Sequence, residues 1–136
     1  MNITIIEDCH GDYELIKKAI IESNIKIDYK FIHFDNGEKG LNFLFSKEND
    51  SHIIILDINL PDISGLDILT RIKKNERTKH IPTIIYSTSE NKEDINQAYK
   101  SMANSYILKS FNSKDFYKII KTFSEYWGKT VTLPQQ

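Results

Sequence analysis

The chain predicts an α/β fold in which helices wind both faces of one five-stranded parallel sheet. Three observations carry that expectation. Short apolar or β-branched runs alternate with amphipathic stretches from end to end. Three of those runs are nearly continuous in apolar residues, as strands covered on both faces should be. A chain of 136 residues is one domain that buries about two-thirds of its unfolded surface, so it needs no disulfide or metal to hold it.

The elements follow in order. Strands are predicted at residues 3–6 (ITII), 27–34 (IDYKFIHF), 52–56 (HIIIL), 83–87 (TIIYS) and 105–108 (SYIL). Between them the apolar spacing becomes helical: Leu15, Ile16, Ala19 and Ile20; Leu41, Leu44 and Phe45; Leu66, Leu69 and Ile72; Ile95, Ala98, Tyr99 and Met102; Phe116, Ile119, Ile120 and Phe123. Asp12, Asn36, Ser64, Asn91 and Ser113 stand near the five starts as candidate N-caps. Five strands alternating with five helices make a doubly wound (βα)5 sheet, and right-handed crossovers favour the flavodoxin-like order 2-1-3-4-5.

Composition excludes several roles. With 18 basic and 19 acidic residues the formal net charge is -1, which offers no general attraction to nucleic acid or anionic lipid. No apolar run approaches a membrane span, and the start MNITIIEDCHGD lacks the basic n-region of a signal peptide. Cys9 is the single cysteine, so no internal disulfide forms, and a reducing, cytoplasmic setting is expected. None of the four histidines pairs with Cys9 at zinc-ligand spacing, and Cys9 itself reads as a small packing residue.

Sheets of this kind bind ligands beyond the carboxyl ends of their strands, near the switch point between the first and third. Here the first run ends in Glu7-Asp8, the third in Asp57, the fourth in Ser87-Thr88 and the fifth in Lys109. Three carboxylates gathered there repel one another and should attract a divalent cation; an oxygen-only set suits Mg²⁺. Adding Thr88 and Lys109 makes a phosphoryl site, in which a carboxylate attacks phosphorus and the other groups neutralise the phosphoryl oxygens. Asp57, on the central strand, is the expected nucleophile. Taken singly, each acid could instead form a turn or cap, Thr88 a strand end and Lys109 a solvated charge. Asp12 and Asp62 are read in that way, as cap or turn residues.

Four segments, IIED at 5–8, ILDINLPDISG at 55–65, YSTSE at 86–90 and SYILK at 105–109, resemble the receiver domains of two-component response regulators. The resemblance implies that Asp57 is the phosphoacceptor and that Asp8 ligates Mg²⁺ directly, with Glu7 acting through water. It adds the backbone carbonyl of Asn59 as a ligand, Thr88 as the switch hydroxyl, Tyr106 as the aromatic that follows it inward, and Lys109 as the holder of a phosphoryl oxygen. On spacing alone Tyr106 fits core or surface equally. The implied output face is made by the fourth helix, fifth strand and fifth helix, residues 91–127. A looser likeness, in DCHGDYELI, KHIPTIIYSTS and EYWGKTVTLP, is to stand-alone regulators paired with phytochrome-type and other sensor histidine kinases. It implies a kinase or phosphotransfer histidine as donor, a downstream protein target and a homodimer through the output face. Residues 1–127 would form the receiver and 128–136 a tail, with no separate output domain. Tyr126 and Trp127 extend the last apolar stripe, serving either home packing or an interface.

The chain departs from the family pattern in two places. Ser110 follows Lys109 where receivers usually carry a proline after a cis bond, so the bond here is either a strained cis or a trans that alters the lysine's approach. Met102 precedes Ala103 where a glycine is common. Three other readings compete: an aspartate-nucleophile phosphatase, which would carry an acid where Asn59 stands; a flavin module, whose phosphate loop would not be EDCHGD; and a degenerate receiver that binds partners without phosphate, supported by Ser110.

Overall fold

The computed structural model describes residues 1–135. Five parallel strands, β1 (Asn2–Ile6), β2 (Lys30–Phe34), β3 (Ile53–Leu56), β4 (Thr83–Ser87) and β5 (Ser105–Leu108), lie in the order β2-β1-β3-β4-β5. The helices are α1 (His10–Ser23), α2 (Gly37–Leu44), α3 (Gly65–Lys74), α4 (Lys92–Lys100) and α5 (Ser113–Glu125), and a π-helical turn, Tyr126–Thr130, continues the last. The predicted topology holds.

Strand side chains alternate between faces, so the sheet separates two cores. Ile3, Ile5, Ile53, Ile55 and Ile84 meet α1 and α5 on one side. Ile6, Ile54, Leu56 and Ile85 meet α2, α3 and α4 on the other. Near-continuous isoleucine is therefore what a central strand with two buried faces requires.

Several boundaries and stripes differ from expectation. The second strand begins at Lys30 rather than residue 27, because its partner β1 begins at Asn2, opposite Lys30. In α1 the buried stripe is Tyr13, Ile16, Ala19 and Ile20, while Leu15 faces outward at 51% exposure. In α4 only Ala98 is buried; Tyr99 and Met102 are exposed because the helix covers the edge of the sheet. Asn36, Ser64 and Asn91 cap their helices as predicted. Asn112 rather than Ser113 caps α5, accepting from the N–H groups of Lys114 and Asp115. Cys9 takes the N-cap position of α1, exposed and without a side-chain cap bond, so neither Asp12 as a cap nor Cys9 as a packing residue holds. Asp62 does cap, although across the fold: its two oxygens accept from Gly37 N–H (2.8 Å) and Glu38 N–H (2.9 Å) at the start of α2. Trp127 packs on the α1/α5 core together with Leu133, whereas Tyr126 stays exposed.

Candidate functional site

Strand register brings the predicted residues to one edge. Ile6 lies opposite Leu56, and Ser87 opposite Leu108. One residue further along, Glu7 comes level with Asp57, and Thr88 with Lys109. Two backbone bonds fix the exits, Asp57 N–H to Ile6 O (3.0 Å) and Lys109 N–H to Ser87 O (2.8 Å).

The Lys109 ammonium is the hub. It donates to Glu7 Oε2, Asp12 Oδ2 and Asp57 Oδ2, each at 3.0 Å, and lies 5.4 Å from the centre of the Tyr86 ring. Glu7 is 2% exposed and Asp57 5%. Two carboxylates so deep need a cation, and the lysine supplies one charge between them. Burial pushes the Glu7 carboxyl up to about 8, the neighbouring Asp57 charge adds to that, and Lys109 offsets only part of it. Burial works against the charged lysine too, but its bonds and charge interactions with Glu7 and Asp57 outweigh it and raise its pKa. The lysine stays charged, and the cost of crowding falls on the Glu7 carboxyl.

Two members of this cluster were not legible in sequence. Asp12, read as a cap or turn residue, is instead an ion-pair partner of Lys109 from the first turn of α1. His33, on β2 opposite Ile5, places Nε2 2.6 Å from the Glu7 carbonyl, with its ring stacked on Tyr13 at 4.0 Å and 8°. Glu7 O lies just past the end of β1, and the imidazole N–H supplies its donor. The one sequence signal for His33 was its place on a strand adjacent to β1.

The remaining predicted residues lie around this hub. Asn59 is exposed, and its N–H donates to Asp57 Oδ1 at 3.3 Å. Thr88 is exposed, and its hydroxyl makes no hydrogen bond among the described residues. Tyr106 is half-buried; its hydroxyl donates to Ser89 O (2.9 Å) and its N–H to Tyr99 Oη (3.1 Å), tying β5 to the loop that carries Thr88. Every peptide bond among the described residues is trans, Lys109–Ser110 included. The lysine reaches Asp57 regardless, which removes the support that Ser110 lent to a degenerate receiver.

Glu7, Asp8 and Asp57 each offer a carboxylate oxygen within 4.8 Å of the others. An all-oxygen donor set, two members buried and Asp8 open to solvent, fits a hard divalent cation. A cavity opens on the other side of Lys109, which is among its lining residues. About 1050 Å³ in volume, it runs between β5 and α5, lined by Ile107, Phe111, Phe123, Tyr126 and Trp127 among others. It is a groove on the expected output face.

A five-stranded sheet of this order, with an acid cluster and a lysine at its carboxyl edge, defines a phosphoryl-accepting receiver architecture. A family model described as "Response regulator receiver domain" matches residues 3–121, and the chain belongs to that family. Response regulator Rcp1 of Synechocystis sp. is 33% identical over 137 residues, an alignment covering 97% of this chain and 92% of Rcp1. The phosphorylated cyanobacterial phytochrome response regulator RcpA superposes with a TM-score of 0.92 at 32% identity, covering 98% of each chain. The Mn²⁺-bound form of Rcp1 gives 0.91 at 32% identity, covering 98% of this chain and 99% of that one. Similarity to a manganese-bound protein accords with a divalent-cation site at the acid cluster.

Proposed function

We propose that the protein is a phosphorylation-operated switch whose phosphoacceptor is Asp57, with residues 1–127 as the receiver and 128–136 as its tail. The observation that carries this reading is the 3.0 Å bond from Lys109 Nζ to Asp57 Oδ2, made inside a group of three convergent carboxylates. The donor is a phosphohistidine of a sensor kinase or phosphotransfer protein, and the relatives' association with phytochromes makes a light-sensing kinase the first to test. An Asp57 oxygen forms the new bond to phosphorus as the donor's P–N bond breaks. The electron pair returns to the imidazole nitrogen. Glu7, Asp8, Asp57 and the Asn59 carbonyl would hold Mg²⁺, which when bound offsets negative charge on the phosphoryl oxygens. Lys109 donates to a phosphoryl oxygen, and the uncommitted Thr88 hydroxyl to another.

Output follows from differential contacts in two conformations. The Tyr106 hydroxyl is bonded to Ser89, one residue from Thr88, so a shift of Thr88 towards the phosphoryl group pulls on the aromatic of β5. The face of α4, β5 and α5, with its apolar groove, would then bind a downstream protein or a second copy of the chain. The protein acts stoichiometrically and does not turn over substrate.

The experiment is intact mass after incubation with a small phosphodonor, with and without Mg²⁺, on wild type and Asp57→Asn. The expected result is a Mg²⁺-dependent gain of one phosphoryl group that the variant lacks. Persistent stoichiometric labelling of Asp57→Asn, or no labelling of wild type, would overturn the assignment.

A further inference from the structure

An ammonium has three N–H donors, and those of Lys109 go to Glu7 Oε2, Asp12 Oδ2 and Asp57 Oδ2, all at 3.0 Å. None is left for a phosphoryl oxygen, so one of the three acceptors must give way. Glu7 and Asp57 are buried, and parting either from Lys109 leaves a buried carboxyl group without its hydrogen-bond partner. Asp12 differs. Its side chain is 40% exposed, it rides on the first turn of α1, and it stands outside the Glu7–Asp8–Asp57 group. Water can replace the lysine at Asp12 at little cost. An acid in a first turn also complements the helix dipole, but that role requires no bond to a lysine 97 positions away.

Taking Asp57 as the phosphoacceptor, we propose that Asp12 is a positioning residue that competes with the phosphoryl group for Lys109. It holds the ammonium N–H that a phosphoryl oxygen takes over, so it sets the free-energy cost of the phosphorylated state. On phosphorylation that N–H swings from Asp12 Oδ2 to the phosphoryl oxygen, and Asp12 turns to solvent. No proton or electron changes owner in the exchange. Because Asp12 is anionic, it also raises the electrostatic cost of admitting a further anion.

The test uses the full chain as wild type, Asp12→Asn and Asp12→Glu. Beryllium fluoride with saturating Mg²⁺ serves as the phosphoryl mimic, and Mg²⁺ alone is titrated separately. Asp12→Asn should bind beryllium fluoride about three- to tenfold more tightly while its Mg²⁺ affinity stays level or falls. Asp12→Glu, which keeps the charge, should resemble wild type. A purely structural acid would instead lower the melting temperature and move neither affinity upward. A second readout needs no phosphate: acylation of Lys109 by acetic anhydride, followed by peptide mass spectrometry, should be about twofold faster or more in Asp12→Asn. Unchanged or weaker beryllium fluoride binding in a folded Asp12→Asn, with wild type binding normally, overturns this proposal alone. Wild type that neither binds the mimic nor gains phosphoryl mass overturns the phosphoacceptor reading and this one with it. Unchanged acylation shows that Asp12 does not tether the lysine and likewise overturns it.

Discussion

Gly65→Ala is expected to damage stability and site together, because the glycine sits against the backbone of Asp57, the proposed phosphoacceptor. A Cβ at Gly65 would lie 2.0 Å from Asp57 O, 2.7 Å from Ile58 Cα and 2.8 Å from Asp57 C. None of these atoms is the free end of a side chain. To reach even 3.0 Å, the Asp57 carbonyl must move about 1 Å, and the Gly65 N–H bond to Ile58 O (2.9 Å) lies on the same path. Overpacking of this kind costs about 1–3 kcal/mol. Losing the backbone bond adds about 1 kcal/mol. A loss of about 3 kcal/mol is a large part of the roughly 5–15 kcal/mol that holds an ordinary domain.

The same displacement reaches the chemistry. A main-chain shift of about 1 Å at Asp57 would disturb its 3.0 Å bond to Lys109 and the spacing of the carboxylate group. Urea unfolding followed by circular dichroism would measure the stability. At a slope of about 2 kcal/mol/M, the midpoint should fall by roughly 1.5 M. Calorimetric titration with Mg²⁺ would measure the site, where we expect affinity to fall about tenfold, the equivalent of one lost charge-assisted contact. Gly11→Ala is the control. Its Cβ would meet nothing nearer than Cys9 Sγ at 3.9 Å, and in α1 the change should stabilise by about 0.5–1 kcal/mol. A Gly65→Ala variant within about 1 kcal/mol of wild type, with Mg²⁺ affinity intact, would refute the claim that close backbone approach dictates this glycine.

Two further predictions concern charge and backbone. The Glu7 carboxyl ordinarily releases its proton near 4.5 but in the fold holds it up to about 8, so between those values the native state carries the extra proton. In the absence of divalent cations its contribution to stability therefore falls as pH rises through that window, and Mg²⁺ binding near pH 7 should release protons, read as a buffer-dependent heat that Glu7→Gln abolishes. Met102 stands just past the end of α4 at φ 71°, the left-handed conformation that side chains resist, and is 68% exposed. Met102→Gly should relieve roughly 1 kcal/mol of strain, part of it returned as unfolded-state entropy, and raise the urea midpoint without altering Mg²⁺ affinity.

The site was legible where topology alone decides it. Glu7, Asp57, Thr88 and Lys109 each follow an apolar run, and parallel strands bring such positions to one edge whatever the side chains do next. Asp12 was not legible, since its partner is 97 positions away and the pairing depends on how α1 is set against β5. The outward face of Leu15 escaped for a related reason. Tyr13, Ile16 and Ile20 fit helical spacing as well as the stripe through Leu15, and only the height of α1 over the sheet chooses between them. Tyr99 and Met102 show the other limit: an apolar stripe records that a face is apolar, not that the chain itself covers it. The glycine missing before Ala103 was visible in sequence, and the positive φ of Met102 gives its physical meaning.

Charge explains why phosphorylation of such a pocket should depend on a divalent cation. Three carboxylates, Glu7, Asp12 and Asp57, share one ammonium, and a fourth, Asp8, offers an oxygen within 4.8 Å of those of Glu7 and Asp57. Without further cations the lysine must serve three of them at once, and burial forces a proton onto the cluster at neutral pH. A phosphoryl group brings roughly 1.5–2 further negative charges. It cannot be admitted by the lysine alone, whose N–H groups are already engaged. A divalent cation at Glu7, Asp8 and Asp57 would balance charge that the lysine alone now offsets, with Glu7 and Asp57 keeping their bonds to Lys109. Asp12, exposed and outside that group, would be the anchor that gives way. The order that follows is cation first, phosphoryl group second, with the Lys109–Asp12 bond exchanged at the second step. Asp12 would thus be the carboxylate whose removal eases phosphorylation, whereas removing Glu7, Asp8 or Asp57 should impair it.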